Sequence, residues 1–146
     1  MRRLRKFLSL SGIERRLLLS ALFVTAGVRL GLWLLPFQTL RRLLSRRTQR
    51  AVAQRAREEP APERITWAVR AASRYVPRAT CLTQALAAWT LLTRNGYAAH
   101  VLFGVAKDRA KRLEAHSWLE CQGRVLIGES NLSRYTPLIT TEESHA

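Results

Sequence analysis

The sequence predicts an α+β domain preceded by basic helices, on three observations. Apolar residues recur at helical spacing between Glu63 and Asn95. They then alternate strictly with other residues from Tyr97 to Val105, as along a strand. Residues 1–57 are rich in Arg and Leu and show no such alternation. Helices followed by hairpin-connected strands imply an antiparallel sheet with the helices segregated to one side.

The chain has 146 residues, of which 47% are hydrophobic, enough for one core and too apolar for a disordered chain. Two cysteines cannot form the disulfide framework of a small secreted scaffold, so a cytoplasmic location is expected. The formal charge of +15 is unevenly spread: residues 1–57 hold 14 Arg/Lys and one acid, residues 58–146 hold 11 and 9. The domain reading follows that split, with a basic helical region at 1–57 and a compact, nearly neutral domain at 58–146. No zinc-ligand spacing is present and the back half lacks a basic face, so no nucleic-acid partner is expected.

Leu17 to Phe37 is an apolar run of 21 residues interrupted by Arg29 alone. It is long enough to span a bilayer, but a charge near its middle favours a buried or membrane-grazing helix. Gly27 and Gly31 at GxxxG spacing fit ordinary close helix packing as well as membrane pairing. The long charged lead and the lack of a small-residue cleavage site argue against a secretory signal. Pro36 ends this helix. A second, basic amphipathic helix is expected from Thr39 to Arg57, with Leu40, Leu43, Leu44 and Ala51 on one side. Its Arg41, Arg42, Arg46 and Arg47 suit an acidic partner, an anionic membrane surface or plain solvation.

Glu58 to Pro62 breaks the chain, and a helix is expected from Glu63 to Tyr75, with Ile65, Trp67, Val69, Ala72 and Tyr75 inward. Thr80 is the N-cap of the next helix and Asn95-Gly96 its stop. Leu82, Ala85, Leu86, Trp89 and Leu92 or Thr93 make its inward stripe. After the strand at 97–105, EAHSWLE and RVLIG read as two strands joined by a tight turn at Gln122-Gly123.

Cys81 is the candidate nucleophile. The first turn of a helix favours a thiolate through its unpaired N–H groups, and the same groups can hold an oxyanion. A small buried apolar cysteine is the bland alternative. His116 is the candidate base, with His100 competing and His145 in the terminal tail. With Gln122 and Gly123 as the loop, an unbroken antiparallel register sets His116 opposite Glu129, which makes Glu129 the candidate orienting residue. Asn131, Glu120 or a backbone carbonyl are the alternatives, and Cys121 is read as incidental.

The stretches ATCLTQALAAWTLLTRNGYAAHVLFGVA, EAHSWLECQGRVLIG and SRYTPL together resemble the leader peptidases of lasso-peptide biosynthesis, the split-B proteins of transglutaminase-like, papain-like fold. The likeness spans roughly residues 60–138 and places Cys81 and His116 at the family's catalytic positions. Relatives carry an Asp where this chain has Gly128, which leaves Glu129 or a looser dyad. The resemblance implies a cytoplasmic cysteine protease that cleaves a leader from a ribosomal precursor peptide through an acyl-enzyme, with no cofactor and no metal. It also implies a separate leader-recognition protein and an ATP-dependent lasso cyclase as partners. Two rival functions remain at this point: a membrane-associated helical adaptor for an acidic partner, and a transglutaminase-like acyl transferase.

Overall fold

Ser11 opens the long apolar helix with a reciprocal cap: its hydroxyl accepts from the Glu14 N–H at 3.3 Å, and the Glu14 carboxylate accepts from the Ser11 N–H at 3.0 Å. That backbone hydrogen bond is the main reason the Glu14 carboxyl lies below its ordinary pKa. The computed structural model describes residues 2–52, 61–129 and 132–140. Within them, α1 (Arg2–Leu8) and the capped α2 (Gly12–Leu34) precede α3 (Phe37–Val52), and Leu35-Pro36 forms the corner between the last two. Gly31 permits that corner to close, because a Cβ there would lie 2.6 Å from Leu40 Cδ1. Gly31 thus serves packing inside the chain, whereas a Cβ on Gly27 would meet nothing within 4 Å.

Pro62 stands in the first turn of α4 (Pro62–Ser73), where its missing N–H costs no helical hydrogen bond. Thr80 caps α5 (Cys81–Arg94), and Asn95 followed by Gly96 at φ +85° ends it, as the sequence predicts. Four strands follow, β1 (Ala99–Lys107), β2 (Leu113–Cys121), β3 (Arg124–Ile127) and β4 (Thr136–Thr140), in the antiparallel order β3-β2-β1-β4. Gln122 at φ +53° and Gly123 at φ +75° make the tight β2–β3 turn.

The fold class is therefore α+β, with α5 between helices α2, α3 and α4 and the sheet. It is buried almost all round, Ala87, Ala88 and Leu91 as well as the expected Ala85, Leu86 and Leu92. Ala21, Val28 and Leu40 join Ile65, Leu86 and Leu119 in one apolar cluster, so the boundary at 57/58 does not separate two cores. Charge divides the chain there, but apolar burial unites it.

Several local expectations change with this packing. Trp67 and Tyr75 are exposed, since the buried arc of α4 is the narrower set Ile65, Ala68, Val69 and Ala72. Leu43 is likewise exposed on α3. Strand β4 was not expected, because Pro137 interrupts its short pattern; as an edge strand it tolerates the missing N–H.

Candidate active site

Cys81 is the first residue of α5, and the cap fixes where the helix begins: Thr80 Oγ1 accepts from the Thr83 N–H at 3.4 Å. The first turn carries no acidic residue to oppose a thiolate. The Cys81 and Leu82 N–H groups make no hydrogen bond among the described residues and remain available as oxyanion donors. The thiol is half-buried and forms no disulfide, and its Sγ accepts from the Ser117 hydroxyl at 3.5 Å. Ser117 is buried on β2, so α5 and the sheet meet at this pair.

Successive side chains of a strand point to opposite faces. Ser117, Leu119 and Cys121 accordingly meet α5 and its core, while His116 and Trp118 stack on the other side. The His116 ring lies 5.0 Å from Tyr135 and 6.2 Å from Trp118 between ring centroids. Its Nε2 is 2.9 Å from the carbonyl oxygen of Gly128. A carbonyl only accepts, so Nε2 carries a hydrogen, and in the neutral ring the lone pair is on Nδ1. Nδ1 makes no hydrogen bond among the described residues, and none joins the ring to Cys81. Cys81 thus touches Ser117 on one face of β2, while the ring of the adjacent His116 lies on the other face.

Gly128 has φ +80°, and a Cβ on it would lie 2.7 Å from the Ser117 carbonyl oxygen and 3.0 Å from Trp118 Cβ. Only glycine fits this backbone, which turns its own carbonyl toward the imidazole. A cysteine opening a core helix, against an antiparallel sheet whose second strand bears a ring-stacked histidine, is now a defined arrangement. A family model described as the transglutaminase-like superfamily matches residues 22–140.

The chain belongs to the transglutaminase-like superfamily. No curated protein and no solved structure matches it. That superfamily includes cysteine proteases and acyltransferases, and its members are commonly cysteine-dependent enzymes. The match begins within α2, so the superfamily's domain takes in α3 and most of α2 as well as the neutral back half.

Glu129 does not face His116 as an unbroken register would have it. A bulge between Leu119 and Glu120 shifts the pairing from Glu120↔Val125 to Leu119↔Ile127, and β3 ends there. The exposed Glu129 carboxylate lies 3.5 Å from the Arg70 guanidinium on α4. Arg70 also donates to the Leu126 carbonyl oxygen at 2.5 Å, which clasps α4 to this strand. The orienting group beside His116 is a backbone carbonyl, one of the sequence alternatives.

His100 pairs with Glu120 across the sheet, well along the ladder from the Gly104↔His116 pair. Glu120 accepts from the Trp118 indole N–H at 3.3 Å. Asn131 and His145 lie outside the described residues. Cys121 is fully buried, and burial raises its thiol above the ordinary range despite the opposing influence of Arg124. Sequence reasoning missed Ser117, Trp118 and Tyr135. The alternation of β2 holds a signal for Ser117, since it must face away from His116, whereas nothing local marks Tyr135 as a stacking partner.

Proposed function

We propose that the protein is a cysteine peptidase that removes the leader from a ribosomally made lasso precursor peptide. The observation that carries the peptidase reading is Cys81 at the capped start of α5, with two free N–H groups beside it, in a transglutaminase-like domain. The leader specificity rests on the sequence resemblance.

In this reading His116, whose ring here lies across β2 from the Cys81 face, takes the thiol proton once the ring and Sγ are brought together, and the thiolate attacks the scissile carbonyl carbon. The carbonyl π pair moves to oxygen, where the Cys81 and Leu82 N–H groups stabilise the oxyanion. As the tetrahedral centre collapses, the C–N bond breaks and the imidazolium gives its proton to the leaving amine. Water, deprotonated by the same ring, then cleaves the thioester and restores the thiol. The Gly128 carbonyl holds Nε2–H in this structure, in the place a carboxylate takes in a triad, but brings no charge to an imidazolium.

The test is incubation of the full chain with the precursor encoded beside it, with and without the recognition protein, followed by mass spectrometry. A leader with a free carboxyl terminus, absent for Cys81→Ala, is the expected product. Leader bearing an added amine instead assigns acyl transfer, and cleavage that survives Cys81→Ala overturns the cysteine mechanism.

A further inference from the structure

The face of α2 turned away from the core is predominantly apolar, with the exposed Arg16 and Ser20 interrupting it toward the N-terminal end. Ile13, Leu19, Phe23, Leu30, Trp33 and Leu34 fall within one half of the helix circumference and are all exposed, Phe23 and Trp33 at 75% each. Isolated exposed leucines are ordinary, but six large apolar side chains on one stripe mark an interaction surface. At about 1.5 Å per residue the stripe from Ile13 to Leu34 extends over about 32 Å.

We infer that α2 docks this stripe on an anionic phospholipid surface, lying in the interface rather than crossing it. Crossing is opposed by the helix's other face: Ala21, Thr25 and Val28 are 0%, 0% and 1% exposed and belong to the interior that includes Ile65 and Leu86. A span would strip these residues from the core. An interfacial helix buries only its outward side, to roughly 5–10 Å, and leaves the other for the protein.

Charge selects lipid over a second copy of the chain. Residues 1–57 carry 14 Arg/Lys and one acid, and that acid, Glu14, is engaged by Ser11 and Arg64. Two like-charged faces of this kind repel each other. Arg2, Arg3, Arg5 and Lys6 are exposed before the stripe and Arg42 and Arg46 after it, so cations stand at both ends of an apolar band. Anionic headgroups above acyl chains supply the complementary layers, and Trp33 and Phe23 suit the boundary between them.

The test uses the full chain with phosphatidylcholine vesicles, with and without phosphatidylglycerol, in a co-flotation assay. Binding is expected to the anionic vesicles, to fall in 1 M salt, and to weaken about tenfold or more in the triple variant Phe23→Ser, Leu30→Ser, Trp33→Ser, because affinity follows buried apolar area. Trp33→Ser alone, at a position exposed in the folded chain, should weaken binding severalfold with an unchanged melting temperature, so a misfolded triple variant cannot decide the matter. Failure to bind vesicles overturns the proposal, and so does binding indifferent to both variants. A dimer in sedimentation equilibrium without lipid, lost in the triple variant, overturns it in favour of a second copy. Resistance of the bound protein to alkaline extraction overturns it in favour of a span.

Discussion

Gly128→Ala is the sharpest perturbation of the site, because it adds one carbon and touches neither Cys81 nor His116. The residue must hold φ +80°, which costs an L-residue about 1–2 kcal/mol. Its Cβ also arrives 2.7 Å from the Ser117 carbonyl oxygen and 3.0 Å from Trp118 Cβ, where backbone must yield. Overpacking of this kind adds about 1–3 kcal/mol, for a total loss of about 2–5 kcal/mol. At about 2.1 cal/mol/K per residue, the unfolding entropy of this chain converts each kcal/mol into about 3 °C, so Tm should fall by about 6–15 °C. If β3 relieves the clash by moving outward, the Gly128 carbonyl leaves Nε2 and the ring loses its orientation. A displacement of about 1 Å at a positioning group costs about 100-fold in rate. Thermal unfolding followed by circular dichroism and leader cleavage measured well below the variant's Tm would separate the two effects. A variant with wild-type Tm and wild-type kcat refutes both the close packing and the carbonyl's role.

Cys81→Ala and Cys81→Ser should abolish cleavage with an unchanged circular dichroism spectrum, since each is close in size to the thiol. His116→Ala should lower kcat by about 10²–10⁴-fold, the range of a general base, whereas His100→Ala should leave it within about twofold in the same assay. Glu129→Ala should change kcat little and stability by about 0–1 kcal/mol in denaturant unfolding, because its ion pair with Arg70 is exposed. The buried Cys121 thiol has a raised pKa, so it favours the folded state below the ordinary thiol value of about 8.5, and that contribution is lost as pH rises through the folded value. Unfolding free energy should therefore decline above about pH 8.5 more steeply in the native chain than in Cys121→Ala.

Elements were legible in the sequence where one physical signal dominated. Thr80, the 3.6-residue stripe and Asn95-Gly96 bound α5 without ambiguity, and Gln122-Gly123 fixed the hairpin turn. What escaped depended on long-range packing. Ser11 and Glu14 spell a capping box that the sequence reading passed over, and Glu14 also pairs with Arg64 on α4. The register error at Glu129 has a single cause, the extra residue of a β-bulge, and the alternation of RVLIG contains no mark of it. Cys81 was marked by its place at a helix start, while the Gly128 carbonyl became visible only once the backbone was built. The charge boundary at residue 57 misled because solvation and burial follow different rules: arginines decorate the outside of helices whose Ala21, Val28 and Leu40 complete the interior.

Helix α5 meets its neighbours through a run of short side chains, Ala85, Ala87 and Ala88, all fully buried. Interhelical spacing follows the side chains at the contact, within about 8–10 Å. These alanines therefore act as spacers that set how near the reactive end of the helix stands to the sheet. Enlarging one of them would move Cys81 Sγ away from Ser117 as a lever moves its tip, with no substitution at the reacting groups. Variation in the interior of this protein is thus a route by which the Cys81–Ser117 contact can be altered from a distance.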